Sequence, residues 1–231
     1  MASTSSASSS VQKIFKYDVF LSFRGEDTRK TFVDHLYLAL VNKGIITYKD
    51  DETIKKGERI NEQLIKSIEE SRYYIIVFSK NYASSSWCLD ELVKIMECQK
   101  MTEHTAYPIF YDVEPTEVRN QSGSVGQAFE RFTRKSKRTL EDEDLEKELV
   151  VGKWRNALKE AASLAGMELK NTFNGTSRPR PLSWDAIARV IFILSPHLFR
   201  VFPHHLPHLL PSPRNVGIND LGTLDKIYCI H

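Results

Sequence analysis

A chain of 231 residues, 41% apolar and 27% charged, has room for one domain with a sizeable core and too little for two. Its formal charge of +2 gives no general drive towards nucleic acid or an anionic membrane surface. Three cysteines (Cys88, Cys98 and Cys229) with no recognisable signal peptide fit a reducing compartment better than a disulfide framework.

The Ser-rich start, "MASTSSASSS", has no Arg and no amphipathic periodicity, so residues 1–16 read as a disordered leader. "YDVFLSF" (Tyr17 to Phe23), "IITY" (Ile45 to Tyr48), "YYIIVF" (Tyr73 to Phe78) and "AYPIFY" (Ala106 to Tyr111) then read as buried strands. Runs apolar on both sides of the pleat are what a parallel sheet covered on both faces requires. Between the strands, Phe32, Leu36, Ala39 and Leu40 mark one helix face, ended by Gly44. Ile60, Leu64, Ile65 and Ile68 mark a second, and Leu89, Leu92, Val93 and Met96 a third. The alternation predicts right-handed crossovers and a doubly wound α/β sheet with helices on both faces.

Beyond the fourth strand, "SVGQAFERFTRKSKR" and "LEKELVVGKWRNALKEAASLAG" read as helices separated by the acidic "EDEDLE", and "GMEL" as a short fifth strand. The domain is placed at residues 17–169, and residues 170–231 are read as a poorly ordered tail outside it. Its best apolar run, "AIARVIFIL", carries Arg189, stops at Pro196 and is too short to cross a bilayer.

In open α/β sheets ligands bind beyond the C-terminal ends of the strands, where strand order reverses. For the common order 2-1-3-4-5 that crevice lies between the loops after strands one and three. The first loop is "RGEDTR", Arg24 to Arg29; a glycine, a following helix N-terminus and two arginines suit a phosphate. After the second strand comes "KDDETIKKGERI" with Gly57, and after the third "SKNYASSSWCLDEL". On a helical wheel Leu89, Leu92 and Met96 form the buried arc, with Asp90, Lys94 and Glu97 opposite. Trp87, Glu91 and Cys98 fall at the margin, so Glu91 is placed to face the crevice and Asp90 to be solvated and dispensable. Two readings of Glu91 stay open: an acid favoured by the first-turn dipole, or a group aimed at a ligand.

The blocks "YDVFLSFRGEDTRKTFVDHLYLAL", "DDETIKKGERI", "SSSWCLDEL", "YDVEPTEVRNQSGSVGQAF" and "KWRNALKEAASLAG" resemble, in order, those of plant-type Toll/interleukin receptor (TIR) domains, over about Tyr17 to Leu169. The resemblance implies a flavodoxin-like fold of about five strands and a role in plant immune signalling, with NAD+ cleaved as substrate when the domains self-associate. It implies the catalytic glutamate at Glu91. Dinucleotide contacts are implied at Phe23, Arg24, Gly25, Glu26, Asp27, Thr28 and Arg29, at Gly57, and at Trp87 beside the nicotinamide ribose. No cofactor, metal or membrane is implied; the partners are NAD+ and other TIR domains, and the location is cytoplasmic, with a nuclear fraction admitted.

Some features depart from the family. No GxxxxGK[ST] phosphate loop appears, and the segment after "NTFNG" does not resemble the family's last helix. "SWDAIARVIFIL" offers a substitute, with Trp184, Ile187, Ala188 and Ile191 on one face. Family self-association uses the first and last helices; the common Ser-His pair of the first reads Asp34-His35 here. "RFTRKSKR" reads as a solvated face sooner than a nucleic-acid patch, and "PHHLPHLL" as disorder sooner than a metal site. The alternatives to an NAD+ nucleosidase are a non-catalytic TIR adaptor and a TIR acting on nucleic acid or making cyclic nucleotides.

Overall fold

The computed structural model describes residues 13–49, 62–101, 103–136, 141–170 and 184–198. Along the chain these form β1 (Tyr17–Phe23), α1 (Gly25–Thr28), a π-helical turn (Arg29–Val33), α2 (Asp34–Asn42), β2 (Thr47–Lys49) and α3 (Glu62–Glu69). Next come β3 (Ser71–Phe78), a 3-10 turn (Tyr82–Ser84), α4 (Ser86–Gln99), β4 (Thr105–Tyr111) and α5 (Pro115–Asn120). Last are α6 (Gly123–Ser136), α7 (Glu141–Ala161), β5 (Met167–Leu169) and α8 (Trp184–Leu198).

The five strands are all parallel, in the order β2-β1-β3-β4-β5, the common order on which the crevice is placed. β1 therefore lies inside the sheet, paired with β2 at Phe20–Tyr48 and with β3 at Phe20–Tyr74 and Phe23–Val77. Side chains alternate across the pleat. Phe20, Tyr74, Ile76, Phe78 and Phe110 pack against α3, α4, α6 and α7; Val19, Leu21, Phe23, Ile75, Val77 and Ile109 pack against α2 and α8. The sheet is thus buried on both faces.

Local signals set several element ends. α2 stops at Gly44, φ +75°, where Gly44 N–H donates to Val41 O and Ile45 N–H to Leu40 O, a Schellman closure with Ile45 turned into the core. Ser85 caps α4, its Oγ accepting from Cys88 N at 3.3 Å. A Cβ on Gly166 would meet Pro108 O at 2.5 Å, so the chain enters β5 only because that residue is glycine.

Four expectations need correction. Helix begins at Gly25, directly after Arg24, so the first loop is shorter than "RGEDTR". The acidic "EDEDLE" starts α7 instead of separating two helices, since acids suit a helix's first turn. Residues 13–16 are not part of a loose leader: Lys16 N–H and Tyr17 N–H both donate to Glu70 O, and Phe15 packs edge-on against His104 at 5.2 Å. The core also does not end at Leu169, because α8 buries Ile187, Val190 and Leu194 beside Leu36, Leu40 and Met167. The buried stripe of α8 is 187, 190, 191 and 194, with Ala188 exposed, so the wheel had the right helix and a partly wrong face. One compact unit runs to Leu198. The expectations for residues 1–12, for "PHHLPHLL", and for residues 137–138 at the end of "RFTRKSKR" lie outside the described residues.

At the opposite end of the sheet from the loops after β1 and β3, His104 is buried. Its Nδ1 lies 2.6 Å from Tyr74 OH and 2.9 Å from Ser71 O, and its Nε2 lies 3.0 Å from Lys13 Nζ. Burial holds its pKa below the ordinary 6.5, with the Lys13 ammonium acting in the same direction. The unfolded chain then binds the proton first, so His104's contribution to stability is complete above pH about 6.5 and falls away as the pH drops towards the folded value.

Two measurements test these packing statements. Leu194→Ala is expected to destabilise the fold by about 2–4 kcal/mol in urea unfolding; an unchanged midpoint would mean that α8 is not part of the core. The stability gap between the wild type and His104→Asn is expected to narrow as the pH is lowered from 7.5 to 5, and a constant gap would rule out the neutral buried imidazole.

Candidate active site

The site lies at the C-terminal end of β1 on the α4 side of the sheet. Pleat alternation turns Phe20 and then Ser22 to this side, making Ser22 the last residue of β1 to face it. Ser85 caps α4, and from that start the helix carries Cys88, Leu89, Leu92, Ile95 and Met96 inward with Glu91 among them. Ser22 Oγ donates to Glu91 Oε2 at 2.8 Å. Tyr82, from the 3-10 turn after β3, places its OH 2.9 Å from Ser22 Oγ and donates to Cys88 O at 3.0 Å. Cys88 Sγ sits 3.6 Å from Phe23 O.

Glu91 is only 4% exposed. The expected marginal position is therefore wrong: Ser22 and Tyr82 close over the acid and take it inside. A buried carboxylate costs several kcal/mol unless hydrogen bonds compensate, and Leu or Met would fill the same volume without that cost. An acid in an otherwise apolar stripe, bonded to a buried serine, is thus a chemical feature sooner than a packing one. Burial, reinforced by the neighbouring Cys88 and Glu91, pushes the Tyr82 phenol well above its ordinary range, so it stays a neutral donor.

The loop after β1 begins two residues after Ser22. Gly25 opens α1, and Arg24 pairs with Glu26 at 2.5 Å and Asp27 at 3.5 Å. Phe23 turns its buried ring to the opposite, α2 face of the sheet, where the Arg29 guanidinium lies over it at 5.0 Å. Trp87 is half-buried against the same core as Glu91.

Phe23 and Arg29 thus face away from Glu91, and two further expected dinucleotide contacts are engaged elsewhere. Thr28 is wholly buried, its Oγ1 donating to Arg24 O at 3.2 Å. Asp27 accepts from Ser79 Oγ at 2.6 Å, Asn81 N–H at 3.1 Å and Asn81 Nδ2 at 3.3 Å, and so ties the loop after β1 to the loop after β3. Gly57 lies outside the described residues. Asp90 is not a solvated bystander, because it accepts from the Trp154 indole N–H at 2.8 Å and joins α4 to α7. The residues that sequence reasoning missed are Ser22, Tyr82, Ser79 and Asn81. Only Ser22 left a trace, as the one aliphatic hydroxyl in the apolar run of β1.

Among the described residues no group of three or more His, Cys, Asp or Glu is arranged to hold a metal, and no helix is long and apolar enough to cross a membrane.

A parallel 2-1-3-4-5 sheet with a buried glutamate on α4 and an arginine-bearing turn after β1 defines a class of α/β domain. The TIR domain family model matches residues 16–192, and the chain belongs to that family. It is 52% identical over 168 residues to disease resistance protein RPV1 of Vitis rotundifolia, covering 73% of this chain and 11% of that one. With TMV resistance protein N of Nicotiana glutinosa it shares 53% identity over 160 residues, 69% of this chain and 13% of that one. The chain thus spans only about a tenth to an eighth of these curated relatives' length. Among solved structures it resembles the TIR domains of the activated Roq1 resistosome directly recognizing the pathogen effector XopQ. That match has a TM-score of 0.63 and 45% identity, over 77% of this chain and 99% of the Roq1 TIR chain. The family match passes Leu169 and takes in most of α8, in keeping with the packing of that helix.

Replacing Asp90 leaves the Trp154 N–H short of its acceptor in a part-buried site. Asp90→Ala is therefore expected to lower stability by about 1–3 kcal/mol in urea unfolding. A shift within error would show that the indole bond contributes nothing.

Proposed function

We propose that the chain is an NAD+ nucleosidase acting in plant immune signalling and activated by self-association. The observation that supports this reading most directly is the buried Glu91 carboxylate, bonded to Ser22 at the strand end from which the Arg24 turn departs. In NAD+ the nicotinamide is already cationic, so it leaves with the electron pair of the C1′–N bond and needs no proton. What the enzyme has to supply is stabilisation of the oxocarbenium-like ribose, and a fixed carboxylate at low dielectric does this, as in glycosidases. Water adding at C1′ and losing a proton gives ADP-ribose; an adenine nitrogen of the same molecule adding there gives a cyclic isomer. Arg24, at the turn after β1, would meet the pyrophosphate, and Trp87 the ribose.

The immune role follows the named resistance proteins to which the chain is similar, and activation by assembly follows the Roq1 resistosome. Two adjoining helices present apolar side chains for such an assembly, Leu38 and Val41 on α2 and Phe192 on α8.

With purified protein at high concentration, Glu91→Ala is expected to lower NAD+ consumption by more than about 100-fold while the fold persists. Glu97→Ala, on an exposed face of the same helix, is expected to leave it unchanged. Wild-type turnover in Glu91→Ala would remove the enzymatic reading in favour of a binding module.

A further inference from the structure

We infer that Ser22 and Tyr82 are positioning residues for the reaction, holding the Glu91 carboxylate in one orientation through a closed hydrogen-bonded circuit between β1 and α4. The inference rests on the nucleosidase reading of Glu91. The circuit has three links: Glu91 Oε2 to Ser22 Oγ at 2.8 Å, Ser22 Oγ to Tyr82 OH at 2.9 Å, and Tyr82 OH to Cys88 O at 3.0 Å. Cys88 and Glu91 lie on the same helix, so Tyr82 and Ser22 bridge two points of α4. Both bridging side chains are sealed, Ser22 at 0% and Tyr82 at 1% exposure.

Counting hydrogens gives the direction. An ionised carboxylate only accepts, so the single hydroxyl hydrogen of Ser22 goes to Oε2. In the contact between Ser22 and Tyr82 the phenol must then be the donor, sharing its one hydrogen between Ser22 Oγ and Cys88 O. That bond polarises the serine hydroxyl towards the carboxylate and stops it from rotating to another acceptor. The final torsion of a glutamate is broad and weakly set by its own chain. A hydrogen bond from a strand that cannot shift therefore does what the side chain cannot do for itself.

Packing does not account for this arrangement. Alanine at 22 and phenylalanine at 82 would fill nearly the same space without placing two hydroxyls in a core. Deleting either hydroxyl should leave substrate binding nearly intact and reduce the fraction of molecules whose carboxylate is aligned with the ribose, lowering kcat and not KM.

The test is steady-state NAD+ turnover of the full chain for Ser22→Ala, Tyr82→Phe, the double variant and Glu91→Ala, each checked by thermal melting. The expected result is a kcat lower by about 10-fold or more in Ser22→Ala, with KM within about twofold. Tyr82→Phe should give a smaller loss of the same kind and add nothing in the Ser22→Ala background, because both act through one oxygen. Wild-type kcat in Ser22→Ala and Tyr82→Phe, with Glu91→Ala inactive, overturns the positioning role and leaves the nucleosidase reading in place. Additive losses in the double variant overturn it too, since independent packing defects behave that way. If Ser22→Ala does not fold, Tyr82→Phe, which keeps the ring, decides by its own kcat. An active Glu91→Ala instead removes the underlying reading.

Discussion

The hydrogen bond from Ser22 to Glu91 joins an inner strand of the sheet to the fourth helix, and the geometry of the site depends on it. β1 is held on both edges by β2 and β3, so Ser22 cannot move without disturbing the parallel ladder. α4 is seated by a stripe of leucine, isoleucine and methionine and started by the Ser85 cap. The carboxylate between these two rigid elements has little freedom of its own. Such an acid is preorganised: its orientation is set during folding, when the large burial of both sheet faces offsets the cost of enclosing a charge.

A second connection complements the first. Asp27 bonds to Ser79 and Asn81, which clasps the turn after β1 to the turn after β3 at the point where strand order reverses. Three residues of the arginine-bearing turn are thus divided in purpose: Arg24 is half-engaged with the loop's own acids, Gly25 opens the helix, and Asp27 fixes the loop in space. The site combines an enclosed acid with a fastened turn, on one end of one sheet.

The far ends of the chain also contribute to the core. Lys13 to Lys16 are fastened at the foot of β1 and β3, and α8 covers the face of the sheet that α2 leaves open. α8 carries charged interruptions at Asp185 and Arg189 and a proline near its end, and still supplies three buried side chains. Its apolar stripe at 187, 190, 191 and 194 is the ordinary helical spacing, hidden in the sequence because Phe192 and Ile193 are apolar too and point outward. A run apolar on every side gives no wheel an obvious direction.

By itself the sequence determined the layer order, the parallel sheet and the candidate acid, because these rest on local quantities: runs of β-formers, helical periodicity and the blocks shared with TIR domains. The tertiary structure alone decided that Glu91 is enclosed, that Asp90 is bonded to Trp154, and that Thr28 and Asp27 serve the scaffold. Each of those facts is a contact between residues more than fifty positions apart, apart from Thr28's own turn. A helical wheel knows which side of one helix is apolar. It carries no information about whether a serine from one strand and a tyrosine from another turn will close over the edge of that side.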